Sequence, residues 1–162
     1  MLFRSTQMTV IDVADGEIKA GAREIGGNNR GPFVEKYLNA NHPERITHQG
    51  EPWCAAFYLW CWLQIGPIPF PFTRSSHILY ERMPWSSRVL TNPQPGDALF
   101  WNYHKDGNDS PSHVNMVHHV DSAGVIYTVG GNEGDESSGA PVKIKPRHDL
   151  SKFWGMAKMQ AM

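Results

Sequence analysis

Residues 52–73 contain no charged side chain, and this stretch limits what the chain can fold into. A helix over residues 53–65 would be apolar on nearly every side, so it has to be buried on most of them. Gln64, Gly66 and Pro67 interrupt the stretch before it reaches the roughly 20 apolar residues that a bilayer requires. We therefore predict a buried central helix and no stable membrane insertion.

The hydrophobic pattern changes from helical to extended after Pro95 and Gly96. Before this point, apolar spacing predicts further helices over residues 9–25, from Pro32 onward and over 75–83. After it, we expect strands over residues 97–101, 113–120, 125–129, 142–145 and 153–158. Helices followed by strands predict an α+β fold, with N-terminal helices and a central buried helix packed on an antiparallel β-sheet.

Charge and cysteine content exclude several classes of partner. The chain has 15 Lys and Arg against 16 Asp and Glu, without a basic block, so nucleic acid is not an expected partner. Cys54 and Cys61 would lie about 10 Å apart along one helix, which is too far for a disulfide. Residues 1–16 lack the apolar core of a signal peptide, so we expect no export signal.

Cys54 is the candidate nucleophile because it falls at the start of the central helix. Pro52 suits a helix entrance, and the first turn offers free backbone N–H groups and the positive end of the helix dipole, which favour a thiolate. The same N–H groups would support a developing oxyanion. A small buried cysteine without chemistry explains the position equally well. For Cys61, inside the apolar part of the helix, the structural interpretation is favoured.

His113 is the candidate base, because it stands where a predicted strand begins and can face a helix terminus. If residues 121–124 form the next turn, opposed residues sum to 245 and His113 faces Asn132. An amide there would hold one imidazole nitrogen and leave the other for the thiol. A one-residue slip would bring in Glu133, which we keep as the reserve third residue. A plain Gly-Gly-Asn turn explains the same residues without any catalytic role.

Four segments resemble the successive motifs of CHAP-type amidases and peptidases, a group within the papain-like NlpC/P60 superfamily. They are GEPWCAAF at 50–57, PGDALF at 95–100, SHVNMV at 112–117 and GGNE at 130–133. The resemblance spans roughly residues 15–158 and implies a papain-like fold, with residues 1–162 as a single CHAP-like catalytic domain.

The resemblance also implies the site and its chemistry. It assigns the nucleophile to Cys54, the general base to His113 and the orienting residue to Asn132. Several CHAP enzymes carry a Glu where this sequence has Gly130, and Ser112 replaces the usual Gly before the histidine. The calcium-binding acidic loops of the family are not recognisable here, so we expect no metal and no other cofactor.

A peptidoglycan hydrolase is the implied function: an endopeptidase or N-acetylmuramoyl-L-alanine amidase that cuts an amide bond of the bacterial cell wall. Its partner would be the peptidoglycan stem peptide. We expect Gln49 to help bind the oxyanion, although a solvent-facing glutamine is the commoner case. Trp53, Trp101 and Tyr103 would flank the substrate groove, although core packing explains such residues more often.

The expected setting follows from the missing export signal. We expect synthesis in the cytoplasm and action in the cell wall or periplasm after delivery by a holin or a secretion system. A phage or prophage lysin fits this setting, and so does an antibacterial effector, which would have an immunity protein as a partner.

Two other functions remain open at the level of the sequence. A zinc-dependent wall hydrolase would draw ligands from Asp97, His104, His113, His118 and His119, although no paired ligand motif supports it. A non-catalytic wall-binding module would keep the fold without the reaction. Inhibition by a chelator or by iodoacetamide distinguishes the two enzymes, and release of soluble wall fragments distinguishes both from the binding module.

Overall fold

The computed structural model describes residues 7–41, 51–134 and 139–159. Within these residues, four helices precede the sheet along the chain: α1 (Val10–Lys19), α2 (Pro32–Leu38), α3 (Cys54–Leu63) and α4 (Ser76–Arg82). The strands are β1 (Trp85–Ser87), β2 (Ala98–Trp101), β3 (His113–Val120), β4 (Ile126–Gly130), β5 (Lys143–Arg147) and β6 (Phe153–Lys158). They form one antiparallel sheet in the order β1-β6-β2-β3-β4-β5. The predicted α+β class is confirmed.

Helix α3 lies at the centre of the core. It packs against α1, α2 and α4 and against strands β3 and β4 of the sheet. Most of its side chains are buried, because an apolar helix has no face to give to water. The prediction of a buried central helix is therefore confirmed. None of the helices in the described ranges combines the length and the apolar character needed to cross a bilayer.

Helix α1 begins where the sequence predicts and ends earlier. A capping box at Thr9 starts the helix. The predicted continuation to residue 25 is wrong, because Gly21 takes a left-handed φ of 75° and closes the helix. The N–H of Ala22 then donates to the carbonyl of Glu17, as in a Schellman motif.

The sheet is covered on its second face by a smaller apolar cluster. This cluster consists of Leu99, Trp101, Val117, Ile126 and Met156. Strand β2 is therefore buried along its whole length, with Ala98 and Phe100 in the main core on one face and Leu99 and Trp101 in this cluster on the other. Strand β1 was not predicted from the sequence, because its three exposed residues at the sheet edge leave no hydrophobic pattern.

Candidate active site

The start of α3 is fixed by the residue before the candidate nucleophile. Trp53 is the N-cap of the helix and is fully buried, and its indole N–H donates to Glu24 Oε1 at 3.1 Å. Its ring stacks on Tyr37 at a centroid distance of 5.6 Å. Cys54 follows as the first helical residue, where an α-helix leaves its N–H groups without intrahelical partners. The side chain of Cys54 is buried.

His113 begins β3 and meets this helix terminus, because α3 packs on β3. The imidazole lies near enough to Cys54 for its charge to lower the pKa of the thiol. Its Nε2 lies 2.9 Å from Glu133 Oε1, which leaves Nδ1 for the sulfur. The structure therefore brings the two predicted catalytic residues together.

Glu133, the reserve residue, supplies the third polar group. Its Oε1 also accepts a hydrogen bond from the Asn115 side chain at 2.9 Å. Its Oε2 accepts one from Arg147 Nη2 at 2.9 Å and lies 3.8 Å from Lys145 Nζ. A buried carboxylate is stable only when such partners replace its water, and here both oxygens are paired.

Asn132, the first candidate for this role, lines the same small cavity as His113, but its side chain bonds another residue. Its amide donates to Asn29 Oδ1 at 3.4 Å. Residues of β3 and β4 do oppose each other with the predicted sum of 245 near the site, as Met116 and Val129 show. Strand β4 ends at residue 130, however, and Asn132 takes a left-handed φ of 58°, so the extrapolated pairing does not form.

Two glycines allow the chain to cross the start of α3 at this point. A Cβ on Gly131 would lie 2.6 Å from the Trp53 ring. A Cβ on Gly130 would lie 2.7 Å from Glu133 Oε1. The glycine pair thus lets the chain turn against the helix, and the Glu133 carboxylate fills the space beside residue 130.

The predicted substrate-binding residues divide between core and surface. Trp53 and Trp101 are 0% and 1% exposed, so the expectation that they line an open groove is wrong. Trp101 instead donates its indole N–H to Asn115 Oδ1 at 2.9 Å, behind Glu133. Tyr103 is 45% exposed and its ring lies 6.0 Å from that of His113. Gln49 lies outside the described residues.

Cys54, His113 and Glu133 stabilise one another in their charged forms. Burial raises the pKa of Cys54, but the charge and hydrogen bond of His113, together with hydrogen bonds from Ser76 and Val114, bring this pKa down to about 7. Burial lowers the pKa of His113, and Cys54 and Glu133 together raise it to about 10. Burial raises the pKa of Glu133, while His113 and Arg147 lower it to about 2. A thiolate and an imidazolium are therefore the favoured pair between about pH 7 and 10.

Comparison with known proteins identifies the family of the chain. A family model described as CHAP domain matches residues 46–132, more than half of the chain. The chain belongs to the CHAP family. CHAP domains are typically cysteine peptidases or amidases, in a family of peptidoglycan hydrolases.

A solved structure of NlpC1 from Trichomonas vaginalis is similar to this CHAP chain, with a TM-score of 0.53 and 15% identity. The similarity covers 93% of this chain and 44% of that structure, so the chain spans less than half of its length. At this identity the likeness shows the fold, and it confirms the predicted papain-like architecture. No curated protein sequence matches the chain.

Two cavities lie beside the candidate catalytic residues, Cys54 and His113. The larger, of about 660 Å³, opens beside the sulfur and is lined by Cys54, Thr73, Arg74, Ser76, His104 and Ser112, among others. The smaller, of about 380 Å³, lies on the imidazole side and is lined by Tyr103, His113, Glu133, Lys145 and Arg147, among others. The candidate nucleophile and the candidate base are thus each open to a cavity.

The residues considered for zinc are dispersed in the CHAP fold. In residues 7–41, 51–134 and 139–159, no three His, Cys, Asp or Glu side chains are grouped as a metal site requires. His118 is hydrogen-bonded to Asp15 at 2.8 Å, and His104 to Ser110 at 3.2 Å. The zinc hypothesis thus has no ligand set in this part of the chain.

Proposed function

We propose that this CHAP domain hydrolyses an amide bond of peptidoglycan, with Cys54 as the nucleophile, His113 as the acid and base, and Glu133 as the residue that orients the imidazole. The observation that carries the proposal is the arrangement of three groups: the buried Cys54 thiol, whose pKa the His113 imidazole lowers, and the buried Glu133 carboxylate, which lies 2.9 Å from the other side of that imidazole. Such a series activates a nucleophile through an adjacent base that a third group holds in place.

The reaction would follow the cysteine–histidine pattern. The Cys54 thiolate attacks the amide carbonyl, and the backbone N–H of Cys54 supports the oxyanion that forms. The His113 imidazolium then protonates the leaving amine, which breaks the C–N bond and leaves a thioester. His113 next removes a proton from water, which hydrolyses the thioester and restores the thiolate. Glu133 keeps the ring in one orientation and stabilises its charged form.

The two cavities give the substrate a direction. Because His113 protonates the leaving amine, the amine part of the substrate belongs on the imidazole side, beside Tyr103. The acyl part then belongs in the larger cavity beside Cys54. We propose the peptidoglycan stem peptide as the ligand, with the enzyme acting as an endopeptidase or as an N-acetylmuramoyl-L-alanine amidase. We also propose that a holin or a secretion system delivers the protein to the wall. If the protein is a secreted antibacterial effector, an immunity protein is its partner.

Mass spectrometry of sacculi digested with the purified protein tests the function. We expect soluble muropeptides whose new termini identify one amide bond, because the proposed mechanism cleaves at the single nucleophile Cys54. Sacculi incubated without enzyme are the control. If the protein binds sacculi and releases nothing, it is a wall-binding module and the proposed function is wrong.

Inhibitors distinguish the cysteine enzyme from a zinc enzyme. We expect iodoacetamide to abolish the release of muropeptides, because it alkylates the thiolate of Cys54. We expect a strong chelator to leave the initial rate unchanged. The reverse pattern, with loss of the rate in chelator and none in iodoacetamide, would identify a metal enzyme.

The initial rate of hydrolysis should follow a bell-shaped pH profile. The lowered pKa of Cys54 means that the thiolate forms as the pH rises through about 7. The raised pKa of His113 means that the imidazolium, the proton donor to the amine, is lost as the pH rises through about 10. Rates of muropeptide release across this range measure both limbs. A rising limb centred near 8.5, the value of an unperturbed thiol, would contradict the ion pair.

A further inference from the structure

We propose that Ser76 is a further hydrogen-bond donor to the nucleophile. Its hydroxyl donates to Cys54 Sγ and stabilises the sulfur as a thiolate. The inference rests on the proposed role of Cys54 and adds a residue that neither the sequence motifs nor the family resemblance indicates. Its basis is one contact, between Ser76 Oγ and Cys54 Sγ, at 3.4 Å.

The position of Ser76 leaves its hydroxyl available for this contact. Helix α4 begins at Ser76, and the preceding residue, Ser75, is the N-cap. The Ser75 hydroxyl accepts a hydrogen bond from the Ile78 N–H at 3.2 Å, so Ser75 performs the capping. Ser76 is therefore not needed to start the helix, and its side chain turns toward α3, against which α4 packs.

Burial makes the contact specific. Ser76 is 8% exposed, so its hydroxyl has little access to water and needs a partner within the protein. A neutral thiol accepts a hydrogen bond only weakly, whereas a thiolate accepts a strong charge-assisted one. The buried hydroxyl at 3.4 Å therefore favours the charged sulfur over the neutral one.

Three groups then surround the Cys54 sulfur: the imidazole of His113, the backbone of Val114 and the hydroxyl of Ser76. Each of them favours the thiolate against the cost of burial. His113 alone among them is titratable. The other ionisable residues of the adjacent cavity are Glu51, Arg74, His77, Arg82 and His104. All of these remain in Ser76 variants, so a comparison of such variants isolates the hydroxyl.

The test is the pH dependence of Cys54 alkylation by iodoacetamide, in a Cys61→Ala background so that one thiol is followed. For Ser76→Ala we expect the midpoint to rise by about one unit, which leaves about tenfold less reactive thiolate at about pH 6. Ser76→Thr, which keeps the hydroxyl, should restore the original midpoint. Ser76→Gly also removes the hydroxyl, and it takes the place of the alanine variant in this test if that protein does not fold.

Ser75→Ala is the matched control, because it removes a hydroxyl one position away on the same helix. It should lower the thermal stability and leave the alkylation midpoint unchanged, since Ser75 caps the helix and does not contact the sulfur. An unchanged midpoint in the folded Ser76→Ala or Ser76→Gly protein overturns the inference. An equal shift of the midpoint in Ser75→Ala also overturns the inference, because the shift would then come from any change at the start of α4 and not from the Ser76 hydroxyl.

Alkylation needs no peptidoglycan, so this result is independent of the proposed function. If the wild-type protein releases nothing from sacculi while Ser76→Ala shifts the midpoint, the function is wrong and the inference about the thiolate stands. If sacculi are digested and the midpoint does not move, the function stands and the role of Ser76 is wrong.

Discussion

Replacing Cys54 with alanine should abolish muropeptide release while the protein remains folded. The reaction loses the only group that forms the thioester, and removal of a nucleophile from a catalytic set costs a thousandfold or more, as an order of magnitude. The expected result is a rate indistinguishable from the spontaneous one, measured by mass spectrometry of digested sacculi. Circular dichroism should show the same helical content as in the wild type.

Cys61 provides the matched control for this experiment. It lies in the same helix and is buried like Cys54, but burial raises its pKa well above the usual range and keeps it an inert thiol. Cys61→Ala should therefore lower the thermal stability, because it removes packed volume from the core, and leave turnover in place. An inactive Cys61→Ala beside an active Cys54→Ala would overturn the assignment of the nucleophile.

The second large effect is expected at Glu133. Glu133→Gln keeps the size of the side chain and removes the charge that stabilises the His113 imidazolium. A carboxylate-to-amide change at the orienting position of a Ser-His-Asp triad costs about 10⁴-fold in kcat, so we expect a loss of at least about a hundredfold here. Initial rates on sacculi, taken together with a thermal unfolding curve, separate lost turnover from lost stability.

Asn132→Ala is the natural comparison, because Asn132 is the neighbour that the sequence favours for the same role. Its amide contacts Asn29 and not His113, so we expect the alanine variant to keep most of its activity. The falling limb of the pH profile should also move to lower pH in Glu133→Gln, because the carboxylate helps to raise the pKa of His113. In Asn132→Ala the falling limb should keep its position. A larger loss in Asn132→Ala than in Glu133→Gln would return the orienting role to the asparagine.

The sequence predicts this fold well where the pattern is local. Helix α3 could be placed because residues 53–63 are apolar and uncharged. The strand that begins with His113 could be placed because residues 113–120 form one uninterrupted extended pattern. The third residue of the site could not be placed in this way, because the pairing of opposed residues between β3 and β4 does not continue past the end of β4. Beyond that point the left-handed φ of Asn132 decides which side chain faces the imidazole.

Burial of the aromatic residues was harder to foresee. Trp53 precedes the nucleophile in the motif, and only the buried Glu24, distant in sequence, shows that its indole faces inward. Trp101 is covered because the sheet has apolar residues on both faces, which depends on the loop before β2 and on β6. Ser76 left no signal in the sequence, since serine at the start of a helix ordinarily indicates only a cap.

The glycine at position 130 has a consequence for how relatives of this chain should be compared. A Cβ at position 130 would lie 2.7 Å from both the Glu133 carboxylate and the Cβ of Asn115, so a glutamate at 130 requires that both neighbours change. A relative with Glu in place of Gly130 should therefore carry a different residue, or a different loop path, at 133. We expect alignment by sequence position to leave the two acids unmatched, and superposition of the structures on the histidine to bring their carboxylates together.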